Sequence, residues 1–273
     1  MPSIMSRFSQ DTLDFIAKAA RQTKSEWLDR HREEYESDLL NPVRDCVREA
    51  SRLLKESAGA ELSRYRFPDR GLARIRRTAS RAEAQGWYKD WIGVQVARDS
   101  GSLYEELPSL YFHIAPGEEN VFSAGGLYLP SSQQTKRIRN WIAKDPSRLE
   151  ELLSDQDFRK VYKSLGDERK VKTFPRGFPK DHPKIEWLKL TGFYVWRPFS
   201  KRVFFSKEFP AVLAADWRQV LRLNSVLDHW ISSDPDPTEE VASVEKGAEK
   251  NAEKNTGAPE KKSRVRQPDS WDW

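Results

Sequence analysis

The chain has 273 residues, with 47 Lys and Arg against 42 Asp and Glu, for a formal net charge of +5. Charged residues make up 33% and apolar residues 37%. Globular chains are usually about 25% charged, so part of this one is expected to be heavily solvated. It has no run of about 18 apolar residues, which predicts no membrane-spanning helix. The opening MPSIMSRFSQ lacks the apolar core of a secretory signal, and the single Cys46 cannot form an internal disulfide, so the expected compartment is the cytoplasm.

In chain order, Ser9 is placed to cap a first helix with an apolar stripe of Leu13, Ile16, Ala17 and Ala20. A second helix is expected from Ser25, carrying Trp27, Leu28, His31 and Tyr35. Asn41-Pro42 reads as a restart, with Asn as cap and Pro in the first turn. Val43, Cys46, Val47, Ala50 and Leu54 then repeat at helical spacing. Cys46 falls on that stripe and is read as a core residue rather than a nucleophile.

Three strands are expected over Trp91–Ala97, Ser109–Ala115 and Val121–Leu129. In the second, Leu110, Phe112 and Ile114 share one face, and Tyr111 and His113 share the other. Residues 116–120 have hairpin-loop length, and Gly125-Gly126 marks a bulge or a close backbone approach. Helices resume with Ile138, Trp141 and Ile142, then Leu149, Leu152 and Leu153. Asp155 is expected to cap a helix bearing Phe158, Val161, Tyr162 and Leu165 and ended by Gly166. A short helix over Lys184–Leu190, a fourth strand over Phe193–Trp196 and a long helix opening at Ser206 complete the body. The core face of that last helix carries Phe209, Leu213, Trp217, Val220, Leu221, Leu227 and Trp230. The expected fold is α+β: N-terminal helices, a mainly antiparallel central sheet and C-terminal helices, in one domain over residues 1–233.

From residue 234 the composition changes to Glu, Lys, Ala, Asn and Gly, which predicts a disordered tail over 234–273. That tail holds ten acids and seven bases, a net of −3, which leaves the body with 40 bases and 32 acids, a net of +8. It ends in Trp271, Asp272 and Trp273, which suit a short docking peptide for a protein partner.

The most basic stretch is Arg64–Val96. Arginines stand at 64, 66, 70, 74, 76, 77 and 81, followed by Trp87, Tyr88 and Trp91. Arginine forms bidentate contacts with phosphate, and aromatic rings stack on bases. Arg74, Arg76, Arg77, Tyr88, Lys89 and His113 are therefore the candidate binding residues for nucleic acid or another polyanion. The same arginines read equally as a solvated or internally paired face. The four histidines are dispersed and the chain has no cysteine cluster, so no metal site is expected. Neither a nucleophile elbow nor a dinucleotide or nucleotide phosphate loop occurs, and no cofactor is implied.

Several short motifs, taken in order, resemble a widespread bacterial and fungal family of uncharacterised proteins, a domain of unknown function. They are Phe8-Ser9 with Thr12, Leu13 and Phe15; Trp27, Arg30 and Tyr35; Tyr111, His113 and Ile114; a segment from Phe122 to Pro130; Ile138-Arg139; and Pro175, Gly177, Phe178, His182 and Pro183. The likeness spans about residues 8–231 and implies no reaction. A polar family motif is matched at Arg74, Ile75, Arg77, Tyr88 and Lys89. Thr78 and Ala84 stand where the family carries acids, and Ser80 and Gln85 where it carries bases. If the motif is catalytic in the family, this member has lost its carboxylates; if it is an ion-pair network, this member has rebuilt it. The reading that follows is a non-catalytic binding or adaptor protein. The alternative is an enzyme acting on a phosphorylated or anionic substrate at Arg74, Arg77, Tyr88 and Lys89.

Overall fold

The computed structural model describes residues 7–58, 62, 65, 66, 74–98 and 106–235. Arg64 and Arg70 of the basic stretch, and the tail from 236 with Trp271, Asp272 and Trp273, lie outside the described residues. The fold is α+β, as the residue pattern predicts. None of the described helices is long and apolar enough to cross a membrane.

Helix α1 spans Gln10–Ala20. Ser9 and Thr12 close it reciprocally, the Ser9 hydroxyl receiving backbone N–H groups of the first turn and Thr12 Oγ1 receiving the Ser9 N–H. The expected second helix is broken. It runs Trp27–Arg30 as α2 and restarts at Arg32–Glu34 as α3, because His31 leaves helical geometry at φ −115°. Its Nδ1 bonds the Trp27 carbonyl at 2.8 Å, and its ring stacks on the Trp27 indole.

Asn41-Pro42 is not a restart. Residues Tyr35–Leu40 form a π-helical segment whose closing bond runs from the Asn41 N–H to the Glu36 carbonyl, and Asn41 itself is helical at φ −67°, ψ −47°. The chain passes without interruption into α4, Asn41–Ala58. Proline lacks the N–H that an α-turn needs and crowds the carbonyl four residues back. A wider π-turn placed just before Pro42 accommodates both defects.

Four long strands, β2 (Ile92–Arg98), β3 (Ser109–Ile114), β4 (Val121–Leu127) and β5 (Phe193–Pro198), form an antiparallel sheet in chain order. A two-residue β1, Tyr65–Arg66, pairs with the end of β2. The β3–β4 hairpin closes over residues 116–120 with Ile114 opposite Val121. At Gly125-Gly126 the cause is close approach, since the register runs unbroken from β3 through β4 to β5. A Cβ on Gly125 would lie 2.3 Å from Val220 Cγ1. Gly126 has φ +116° and abuts the Phe193 carbonyl.

The close neighbour at Gly125 belongs to α11, Phe209–Ser232, which lies across one face of the sheet. Pro210 occupies its first turn, and its start is Phe209 rather than Ser206. A separate short helix, α10 (Lys201–Phe204), is capped by Ser200 and precedes it. Between β4 and β5 come α6 (Ser132–Lys144), α7 (Ser147–Ser154), α8 (Gln156–Val161) and α9 (Ile185–Leu188), with α5 (Ala79–Gln85) earlier in the chain. Asp155 caps α8 as expected, accepting the Phe158 N–H at 2.9 Å. Its carboxyl is held well below the usual range by the Arg222 guanidinium first and that backbone bond second. The helix ends sooner than the pattern predicts, at Val161. Tyr162 turns extended so that its hydroxyl reaches Ser123 on the sheet, 3.1 Å away.

The hydrophobic cluster runs from Phe8 to Trp230, and the seven core residues read from the α11 stripe are all buried in it. Cys46 is buried there too, its thiol pushed far up by desolvation. The face of α11 also buries Asp216, which receives the Ser123 hydroxyl at 2.7 Å and pairs with Arg197 at 3.2 Å. Burial pushes its carboxyl up to about 6. A buried carboxylate needs such partners to remain in the core.

Candidate functional site

Alternation along the strands divides the sheet into two faces. Ile92, Val94, Val96, Leu110, Phe112, Ile114, Ser123 and Val195 point into the core beneath α11. Gly93, Gln95, Ser109, Tyr111, His113, Phe122, Ala124, Tyr194 and Trp196 fall on the other side. That second face floors a cavity of about 420 Å³, within the range typical of small-molecule sites. Its walls come from outside the strands: Glu106 before β3, Glu118, Glu119 and Asn120 in the hairpin loop, Tyr128 after β4, and Glu168 after α8.

Two carboxylates are fixed in place. Glu168 receives the Tyr194 hydroxyl on one oxygen and the Trp196 indole N–H, at 2.9 Å, on the other. Tyr194 sits on β5 beside Gly166, whose N–H bonds the Tyr194 carbonyl at 2.8 Å and carries the chain to Glu168. Glu106 accepts the Leu129 N–H at 2.9 Å, while Gln134 Nε2 donates to its backbone carbonyl at 2.8 Å. Burial raises the Glu106 carboxyl above the usual range, against the opposing pull of backbone N–H groups and Arg169. Every charged side chain among the described lining residues is a glutamate. The floor is aromatic: Phe122 meets Trp196 edge to face at 5.8 Å, and Tyr128 meets Tyr194 at 5.0 Å.

The six residues singled out for anion binding do not converge. His113 belongs to the open sheet face, sandwiched between Trp91 and Phe122 with ring centroids 5.3 and 4.6 Å away. Its Nδ1 shares a hydrogen bond with the Tyr111 hydroxyl at 3.0 Å, and desolvation lowers its pKa to about 4, so the imidazole is neutral near pH 7. The other five lie in a hairpin that encloses α5. Arg76 pairs with Tyr88 across an isolated bridge, the Lys89 N–H bonds the Ile75 carbonyl, and the Arg77 N–H bonds the Trp87 carbonyl.

Four of these five turn inward. Arg76 Nη1 reaches Asp29 at 3.1 Å and the Ser25 carbonyl at 3.2 Å, which ties the hairpin to α2. Arg77 donates to the carbonyls of Gln85, Gly86 and Tyr88 where α5 ends. The Tyr88 hydroxyl donates to the Ser25 carbonyl at 2.7 Å and receives the Leu28 N–H at 3.0 Å. Lys89 is buried, its ammonium 4.3 Å from the centre of the Trp91 ring. Arg74 is exposed. Among the described residues, no group of three or more His, Cys, Asp or Glu is arranged to hold a metal.

A family model described as conserved hypothetical protein (DUF2461) matches residues 11–225. The chain belongs to this family. The DUF2461 match takes in every strand and the whole cavity described above, together with the first two thirds of α11. Neither a curated protein nor a solved structure matches the chain. The pocket residues of this DUF2461 member escaped the sequence reading because Glu106 and Glu168 sit in loops far apart in the chain. The one available signal was the period-two pattern of β3 and β5, which puts Tyr111 and His113, and Tyr194 and Trp196, on the face away from the apolar stripe.

Proposed function

We propose that the protein is a non-catalytic binding protein whose ligand is a small organic cation, an aromatic or aliphatic ring bearing a protonated amine. The observation that carries this reading is an aromatic-floored cavity whose charged lining is wholly carboxylate. Aromatic faces attract cations through the ring quadrupole, by about 0.5–2 kcal/mol. A bound ammonium would also compensate the desolvation that raises Glu106. Glu168, held at both oxygens by Tyr194 and Trp196, is a preformed acceptor that a ligand meets without reorganisation.

The inward-facing Arg76, Arg77 and Tyr88 favour the ion-pair reading of their motif over a catalytic one. Position 78, where the resembled family carries an acid, is the N-cap of α5, and Thr78 there makes no capping bond with its side chain. An acid at that position suits a helix start without any chemistry. The test is a thermal-shift and tryptophan-fluorescence comparison of matched ring compounds, 2-phenylethylamine against 3-phenylpropionate. The amine should raise Tm and perturb Trp196 emission, and Glu168→Gln should weaken the response about tenfold. A carboxylate that binds as well as the amine, or no response to either at millimolar concentration, would overturn the proposal.

A further inference from the structure

The inferred cation cavity leaves the basic balance of the body unused, and the hairpin arginines are largely engaged internally. A second basic segment is engaged only in part, through Lys170, Lys184 and Lys189. Residues 170–189 carry six Lys or Arg against Asp181 and Glu186, a net of +4. The base of this segment is closed as an antiparallel pair: the Val171 N–H bonds the Lys189 carbonyl at 2.9 Å, and the Thr191 N–H bonds the Arg169 carbonyl at 2.9 Å. Arg139 of α6 braces the Leu190 carbonyl at 3.0 Å.

Within the loop, Gly177 takes φ +89°, Pro175 is buried and Phe178 packs on the core. His182 accepts the Lys184 N–H on Nδ1 and donates from Nε2 to the Ala143 carbonyl, so the neutral Nε2–H tautomer bolts the loop to α6. What this frame displays is basic and aromatic. Phe174 is 43% exposed, with the ammonium groups of Lys180 and Lys189 5.7 and 5.4 Å from its ring centre. Lys172, Arg176 and Lys180 are exposed and form no ion pair with any described residue.

We infer that this loop is a docking surface for single-stranded nucleic acid, with a base stacked on Phe174 and phosphates on Lys172, Arg176 and Lys180. An exposed ring flanked by cations matches the alternation of base and phosphate along a single strand. One exposed phenylalanine is too small an apolar area for a membrane surface, where binding scales with buried apolar area.

The experiment is fluorescence anisotropy of the full chain with a labelled twelve-nucleotide oligothymidylate between 50 and 200 mM salt. Wild type should bind with log K falling steeply against log salt. Neutralising Lys172, Arg176 and Lys180 to Gln should reduce that slope by about 2, at ~0.7 per single-strand phosphate contact. Phe174→Ala should weaken binding roughly tenfold with the slope unchanged. Arg74→Glu, on the other basic stretch, should leave the slope as it is. If the triple variant loses its far-UV spectrum, Arg176→Gln alone carries the same test with a fall of about 0.7. The proposal fails if wild type does not bind at 50 mM salt, if it binds anionic vesicles but not the oligonucleotide, or if the slope responds to Arg74→Glu and not to the loop variants.

Discussion

The two faces of the sheet are made by the same four strands, residue by residue in alternation, yet they solve opposite problems. The face under α11 is filled: Gly125 gives up its side chain so that Val220 can touch the strand, and Trp217 is fully buried with its indole N–H on the Tyr111 carbonyl at 3.1 Å. The other face keeps its rings and leaves space above them, and its carboxylates are fastened by side chains and backbone rather than by packing. On the proposed reading, stability is concentrated on the first face and recognition on the second. A scaffold that holds its shape through one side can afford an unfilled cavity on the other.

That contrast can be broken by mutation. Trp217→Ala should cost about 3–5 kcal/mol in urea denaturation, since it opens a large void and removes the bond to the Tyr111 carbonyl. Trp196→Ala, an equal deletion on the open face at a residue 38% exposed, should cost only about 1–2 kcal/mol, for its Glu168 bond and Phe122 contact, while abolishing the amine response. Comparable losses in the two variants would erase the distinction. Gly125→Val should cost about 1–3 kcal/mol through overpacking against Val220, also read by urea denaturation.

A subtler test uses pH. On the core face, Asp216 has its carboxyl raised from 3.8 to about 6, mainly by burial, so its contribution to stability is complete below pH 3.8 and lost as pH rises through 6. On the open face, His113 is lowered from 6.5 to about 4, mainly by desolvation, so its contribution is complete above pH 6.5 and lost as pH falls through 4. The windows overlap with opposite sign, and each slope is bounded by about 1.4 kcal/mol per pH unit for one proton. The contributions of Asp216 and His113 should therefore nearly cancel between pH 4 and 6 in the wild type. Asp216→Asn should leave a rise with pH, and His113→Phe a fall. Identical slopes in the two variants would refute the assignment. The smallest effect expected is on truncation: a chain ending at Pro235, which keeps the Trp141–Ser233 and Arg137–Asp234 contacts, should melt within a few degrees of the full chain.

The helical stripes and the strand alternation were legible because burial imposes a period that a sequence cannot hide. Leu13 and Ile16 of α1, Val43 through Leu54 of α4, and Phe209 through Trp230 all fall where spacing puts them. What was illegible is what tertiary contact decides. Basic residues at 76 and 77 look like a binding face until Asp29 and the carbonyls of residues 85–88 are brought against them. Tyr162 would continue α8 by pattern, but a bond to Ser123 draws it out of the helix. Glu106 and Glu168, 62 residues of chain apart, gained meaning only once β3 and β5 stood in one sheet. Within the basic 170–189 loop, the cues Gly177, Phe178 and His182 were visible, but they prove to build the frame.

The π-helical segment before Pro42 also constrains how this chain can change length. Each residue in an α-helix turns the face by about 100°, and the wide turn over Tyr35–Leu40 takes up an extra residue while the apolar face of α4 stays on the core. Deleting one residue there would restore a regular helix with the same face on the core, but it would set the Pro42 ring against the carbonyl four residues back. A one-residue deletion should thus be tolerated in the 116–120 hairpin loop and cost about 3 kcal/mol between Tyr35 and Leu40 in urea denaturation.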